Sequence, residues 1–303
     1  LRAASLNYRD LALLEGRYLA LGAPVVPGSD GVGEVVAVGP GVRRFAVGQR
    51  AIPVYVPGWR TGRPDAEAVR RRLGGPQDGV LREYLCVPEE EATPAPAHLS
   101  DAEAATLPIA GVTAWRALVA EGRLRPGDTV VVQGTGGVSL FGLQLARLAG
   151  ARVLVTSRSA EKLARVEALG AAHGIDTSAT PDWEAEVLRL TGGRGADHVL
   201  DVLGGAQVQR SLAAARLGGT VSLVGFLTGL EARFDLGLAL RRMVRLQAVS
   251  VGSREDQEAL GAALEAHGVR PVVDRVFPFE ELPAAYAHLA SGAQLGKVVV
   301  RFG

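Results

Sequence analysis

A run of strand-forming residues, Val130-Val131-Val132-Gln133, passes directly into Gly134-Thr135-Gly136-Gly137-Val138-Ser139 and then into a Leu- and Ala-rich helical stretch. A strand that turns on glycine and opens a helix is the setting in which a Gly-rich segment cradles a pyrophosphate. The first glycine makes the tight turn, and the second lets the backbone approach the phosphates. The helix start then offers unpaired N–H groups and a partial positive charge to the anion. The third position carries Ser139, still small enough for close packing. These features predict a dinucleotide cradle formed by Gly134, Gly136, Gly137 and Val138.

From Ser100 onward, strands and amphipathic helices alternate. Strands are predicted at 129–133, 152–156, 174–176, 198–202, 220–224 and 246–251. Helical patterns lie between most of them, as in SAEKLARVEALG with Leu163, Val166 and Leu169 on one face. The alternation predicts an α/β fold with a doubly wound parallel sheet of about six strands. Ser100 and Glu103 form a capping-box pattern at the start of this region. Before it, Gly- and Pro-rich sequence with short Val-rich runs predicts an irregular β domain. The Arg-rich insertion RTGRPDAEAVRRRLGGPQDG reads as a solvated face. The last residues return to strand, helix and strand. The expected domains are 1–100, 101–267 and 268–303. Leu1 reads as the middle of a strand, so preceding N-terminal strands are expected to be missing.

Lys plus Arg (33) balances Asp plus Glu (32), which argues against nucleic acid as the main partner. The single Cys, Cys86, allows neither an internal disulfide nor a Cys-based zinc site. No run of eighteen apolar residues suggests a membrane span, and the chain is expected to be cytoplasmic. Asn7 is the one Asn, and Lys162 and Lys297 are the two Lys, in a chain that otherwise uses Arg.

Coenzyme selectivity is read where the second strand of such a sheet ends. Here that stretch is Thr156-Ser157-Arg158-Ser159, with no acid before Glu161 and with Lys162 one turn into the helix. Two hydroxyls and a guanidinium suit the 2′-phosphate of NADP; a carboxylate would have suited NAD. Glycine-containing strand ends are expected at the ligand edge of the sheet: Gly204 in DVLGG, Val224-Gly225-Phe226, and Val251-Gly252-Ser253.

Taken in order, PGSDGVGEVVAVG, LPIAGVTAWRAL, PGDTVVVQGTGGVS, VLDVLGG and LGKVVV resemble the medium-chain dehydrogenase/reductase superfamily along essentially the whole chain. The likeness is to its zinc-free quinone-oxidoreductase-like or alcohol-dehydrogenase-like branch. It implies a Rossmann sheet domain plus a GroES-like irregular β domain. Zinc-dependent members place a Cys shortly before an Asp, a His-Glu pair after Gly, and a further Cys before the cofactor domain. This sequence has Asn7, Ser29-Asp30 and Ile109 there, so no zinc or other metal is expected.

Without a Lewis acid, hydrogen bonds must stabilise developing negative charge. The resemblance points to Asn7, Tyr8 and Thr113 as the catalytic polar set. Asn7 could equally cap the helix YRDLALLEG, and Lys297 could be a cleft residue or an ordinary surface lysine. The sequence therefore predicts an NADPH-dependent, zinc-free oxidoreductase acting on a small quinone, enone or carbonyl compound, or on an alcohol in reverse. A non-catalytic dinucleotide-binding protein of the same fold and an acyl-chain reductase module of a larger synthase are the alternatives. The apolar stretch RLQAVSVGSR at the sheet edge predicts a homodimer.

Overall fold

Residues near the two ends of the chain pair with each other. Strand β1 (Ala3–Leu6) runs antiparallel to β12 (Lys297–Arg301), with Ala4 opposite Val300 and Leu6 opposite Val298. The structure, a computed structural model, describes residues 1–18 and 23–303. It divides into two units, residues 1–112 with 251–303, and residues 113–250.

In the first unit, β1 leads into helix α1 (Tyr8–Leu14), and β2 (Asp30–Glu34), β3 (Arg50–Pro53) and β4 (Ala92–Pro94) follow. The sheet order is β11-β12-β1-β2-β3-β4, where β11 spans Val273–Pro278. Only β11 and β12 are parallel; the other neighbours are antiparallel. This mixed sheet is the irregular β domain expected from the sequence, completed by the chain's last strands. All four residues of β1 are buried, so both faces of the strand are covered. Leu6, Val298 and Val300 pack with Phe277 and with Ala285 of the helix Leu282–Ser291.

Short helices α2 (Asp101–Ala104) and α3 (Val112–Trp115) follow, separated by a π-helical turn at Leu107–Gly111. Ser100 caps α2 as predicted: its hydroxyl accepts the Glu103 N–H, and the Glu103 carboxylate accepts the Ser100 N–H at 2.8 Å.

The second unit holds β5 (Thr129–Gln133), α4 (Gly137–Leu148), β6 (Arg152–Ser157), α5 (Ala160–Ala168), β7 (His173–Asp176), α6 (Trp183–Leu190), β8 (Ala196–Asp201), α7 (Gln207–Ala214), β9 (Ala215–Leu223), α8 (Leu236–Arg242) and β10 (Arg245–Ala248). Its six strands are all parallel, in the order β10-β9-β8-β5-β6-β7. The order reverses beside β5, which makes the carboxyl end of β5 the topological switch point where such sheets bind ligands. Val130, Val131 and Val132 are wholly buried. Each contributes roughly 1.5–3 kcal/mol of burial free energy, so β5 is the anchor of the sheet. β9 starts five residues earlier than the expected 220–224, and β10 ends at Ala248 rather than at Val251.

Helix α9 (Arg254–Ala266) belongs to the first unit and is tied to β4 there: the Gln257 amide donates to Thr93 Oγ1 at 2.7 Å. Helix α10 (Leu282–Ser291) precedes β12 and covers it. No helix among the described residues is long and apolar enough to cross a membrane.

Candidate active site

The predicted cradle lies at the switch point. Gly134 has φ +71°, a conformation that a side chain strains to adopt, and its N–H bonds to Thr156 O at 2.7 Å. Gly136 is the N-cap of α4, and no side chain caps the helix. A Cβ built on Gly136 would meet nothing within 4 Å. An uncapped helix start beside open space fits a pyrophosphate, whose oxygens would take the N–H groups of the first turn. Gly136, Gly137 and Val138 are all half-buried there.

Behind the cradle is a network that the sequence reading missed. Asp201, fully buried at the end of β8, accepts the N–H groups of Leu203 (3.0 Å) and Gly204 (2.8 Å) on one oxygen and the Ser211 hydroxyl (2.7 Å) on the other. Gln133, at the end of β5, donates its amide to the same Ser211 hydroxyl at 2.7 Å. Asp201 therefore shapes the turn that carries Gly204. Gly225, after β9, is pressed against this turn: a Cβ there would lie 2.0 Å from Val202 O. Phe226 next to it is half-buried. Polar residues at the ends of buried strands were the available signal, since such groups are paired when buried.

At the end of β6, Ser157 and Ser159 are taken up by local structure. Ser157 Oγ accepts the Ser159 N–H at 3.2 Å, and Ser159 Oγ caps α5 by accepting the Lys162 N–H at 3.3 Å. Arg158 is exposed, and its guanidinium has no partner among the described residues. Lys162 is half-buried. Val251, Gly252 and Ser253 are buried and are counted with the first unit. There Ser253 caps α9 in a reciprocal pair with Asp256.

The first unit gathers the other polar set. Asn7 stands at the N-cap of α1 in a capping-box arrangement with Asp10, but its side chain makes no cap hydrogen bond. The Asp10 carboxylate accepts the Asn7 backbone N–H at 2.9 Å, while the Asn7 amide points elsewhere. Its Nδ2 donates to Asp30 Oδ2 at 2.9 Å and, at a long 3.4 Å, to Ser5 O. Its Oδ1 accepts from Lys297 Nζ at 2.6 Å. Lys297 also donates to Leu6 O at 2.8 Å and lies 3.7 Å from Asp30 Oδ2. Lys297 is 3% exposed, which removes the surface-lysine reading, and Asp30 is 0% exposed.

A second ion pair adjoins the first. Arg9 lies 3.6 Å from Asp10, and its guanidinium donates to the Ser29 hydroxyl, to Leu73 O (3.1 Å) and to Gly75 O (2.9 Å). Ser29 in turn donates to Asp10 Oδ1 at 2.6 Å. The Arg9 guanidinium also lies over the Tyr55 ring, 5.1 Å from its centroid.

Burial dominates the electrostatics. It pushes the Asp30 carboxyl up to about 7, against the opposing pull of the Lys297 charge, the Asn7 hydrogen bond and the Ile109 N–H; the neighbouring Asp10 pushes it further up. Burial likewise lowers the Lys297 ammonium, and the charges of Asp30 and Asp10 resist this. Tyr8, half-buried, accepts a hydrogen bond from Arg17 at 2.9 Å and stacks beneath that guanidinium. Asn7 and Tyr8 belong to the first unit, and Thr113, buried within α3, to the second.

Zinc needs three or four thiolate, imidazole or carboxylate ligands. Asn7, Ser29 and Ile109 supply none, and an ammonium already sits against Asn7. Among the described residues no group of three or more His, Cys, Asp or Glu could hold a metal ion. This side-chain set does not fit zinc.

Comparison with known proteins places both units. Residues 1–97 match the alcohol dehydrogenase GroES-like domain, and residues 137–266 match the family described as zinc-binding dehydrogenase. The chain is 42% identical to a zinc-type alcohol dehydrogenase-like protein of Schizosaccharomyces pombe, over 99% of this chain and 89% of the relative. It is 28% identical to a chloroplast envelope quinone oxidoreductase homolog of Arabidopsis thaliana, over 99% and 88%. A crystal structure described as an alcohol dehydrogenase from Sinorhizobium meliloti superposes with a TM-score of 0.94 at 49% identity, over 99% of this chain and 89% of that one. Another, of an NAD-dependent alcohol dehydrogenase, gives 0.90 at 35% identity, over 100% and 90%. With a Gly-rich cradle at the switch point of a six-stranded parallel sheet and a GroES-like unit beside it in sequence, the chain belongs to the medium-chain dehydrogenase/reductase superfamily, as an NAD(P)-dependent, alcohol-dehydrogenase-like oxidoreductase.

Proposed function

We propose that this enzyme works without zinc, prefers NADPH, and transfers hydride to a quinone, enone or carbonyl compound, or takes it from an alcohol in the reverse direction. The observation that carries this reading is the Asn7–Asp30–Lys297 cluster. A buried lysine donates to Asn7 beside Asp30, and among the described residues no group of three or more His, Cys, Asp or Glu could hold a metal ion. Preference for NADPH is supported by Arg158, exposed and without a partner at the end of β6, with no carboxylate before Glu161. The relative described as NAD-dependent is the competing precedent, and the choice rests on this loop.

When bound, the reduced nicotinamide supplies the hydride. Gly134, Gly136, Gly137 and Val138 would hold the pyrophosphate, with Ser157, Arg158 and Lys162 toward the 2′-phosphate. In the same unit Gly204, Gly225 and Phe226 would flank the remainder of the coenzyme. As hydride reaches the acceptor, negative charge grows on its oxygen. Hydrogen-bond donors from Asn7 and Tyr8 in the first unit would meet that charge, and Tyr8 would hand over the proton; Thr113, in the second unit, is a further candidate donor by resemblance.

The test is turnover of NADPH and of NADH with a panel of quinones, enones and aldehydes, together with elemental analysis of the purified protein. The reading expects turnover that survives prolonged chelation, faster with NADPH, and far less than one zinc per chain. Stoichiometric zinc whose removal stops turnover would overturn it. Coenzyme binding with no turnover of any acceptor would favour the non-catalytic alternative.

A further inference from the structure

We propose that Lys297 and Asp30 are positioning residues that fix the polarity of the Asn7 side-chain amide, so that Asn7 presents a donor, never an acceptor, to the reacting oxygen. This rests on the reading of Asn7 given above. An Asn amide has one face that donates and one that accepts, and a half-turn about its last bond exchanges them. An ammonium can only donate. With Lys297 Nζ at 2.6 Å from one end of the Asn7 amide, that end must be the oxygen. Asp30 Oδ2, 2.9 Å from the other end, accepts one of the two Nδ2 protons. The remaining Nδ2 proton has only the long 3.4 Å contact to Ser5 O. That proton is the one a ligand oxygen could take.

The lock is built from distant parts of the chain: Lys297 comes from the start of β12, Asp30 from the start of β2, and Asn7 from the turn between β1 and α1. Asn7 keeps 8% exposure, whereas Lys297 and Asp30 keep 3% and none. Of the three, Asn7 is the least buried, so it is the member that a ligand could touch. A hydride acceptor gains negative charge on its oxygen, so an amide turned the wrong way would repel the charge that it should stabilise. Neither neighbour can be replaced by a simple packing residue. Without the ammonium, Oδ1 loses its charged donor and the half-turn becomes available.

The chain's single Asn makes the lock directly observable. Protein labelled with [15N]Asn shows one side-chain amide, that of Asn7. Wild type should show two well-separated amide protons that exchange slowly with solvent. In Lys297→Met their exchange should quicken at least about tenfold and their positions should shift; Lys297→Arg, which keeps a donor, should restore both. With NADPH and 1,4-benzoquinone, Lys297→Met should lose kcat by about a hundredfold, the scale expected when a reacting group is misplaced, with the coenzyme KM unchanged. Lys297→Arg should recover most of it. Should Lys297→Met fail to fold, the charge-balanced Asp30→Asn/Lys297→Met variant replaces it. That variant, folded but slow and with a mobile amide, supports the lock. Wild-type kcat in either variant would overturn it, as would slow amide exchange in Lys297→Met. If wild type reduces no acceptor, the proposed function falls; the amide spectra alone then decide whether the lock exists.

Discussion

Ser139 donates its hydroxyl to the backbone carbonyl of Gln133 at 2.7 Å, tying the first turn of α4 to the last residue of β5. The two residues bracket the phosphate cradle, so the bond holds the loop between them at a fixed width. A glycine at this third position would pack equally well but could not make the bond. Ser139→Ala should therefore lower stability by about 1 kcal/mol, the usual net value of one buried hydrogen bond, and weaken coenzyme binding several-fold. Denaturant titration with and without NADPH would measure both. Unchanged stability and binding would mean that the loop is braced elsewhere.

The strand–turn–helix around Gly134 was legible because every part of it is local: the elements follow one another within twenty residues, and burial of Val130 to Val132 is written in their type. The first unit was legible only in part. Asn7 stood out by rarity, but its two partners lie 23 and 290 residues away, and nothing in local sequence pairs them. Asn at a helix start ordinarily caps the helix. Here the Asp10 N–H donates to the Asn7 backbone carbonyl at 3.0 Å, and the Asn7 side-chain oxygen accepts from Lys297 at 2.6 Å. Strand ends were misread for a related reason. β9 continues back through Gly218 and Gly219 because its pairing with β8 resumes at Ala215 after an irregularity.

Arg158 should decide between the two coenzymes. Among the described residues its exposed guanidinium has no partner, so truncating it breaks no ion pair there. A charge-assisted bond to a phosphate contributes roughly 1.5–3 kcal/mol. Arg158→Ala should weaken NADPH binding by about ten- to a hundredfold while leaving NADH binding nearly unchanged, as measured by fluorescence titration of each coenzyme. Equal losses for both would remove the selectivity argument.

Asp30 should leave a signature in the pH dependence of stability. Burial raises its folded value from 3.8 to about 7. Between those values the folded protein keeps a proton that the unfolded chain has released, so this group's contribution to stability falls as pH rises through that window. Below 3.8 both states are protonated, and above about 7 both are ionised, so the contribution is flat at either side. The unfolding free energy of wild type minus that of Asp30→Asn should therefore decline from pH 4 toward pH 7, at most by about 1.4 kcal/mol per pH unit. A difference that is level across the window, or that rises, would show that Asp30 stays ionised in the fold.

The parallel sheet has an open side. Among the described residues β10 pairs only with β9, so its far edge has no neighbouring strand. Just before it, Leu236, Leu240 and Met243 are each more than 60% exposed, although Leu238 and Ala239 of the same helix pack inward. A helix that is apolar on its outer side, next to an unpaired strand, is costly to leave in water. A second copy related by a two-fold axis would cover both features at once, because the same patch is self-complementary across such an axis. Sedimentation at micromolar concentration should give twice the 31.6 kDa chain mass. Leu240→Asp, which adds a charge to the exposed side without touching the inward residues, should shift the protein toward monomer. A wild type that sediments as monomer at this concentration would rule out this interface as the resting state.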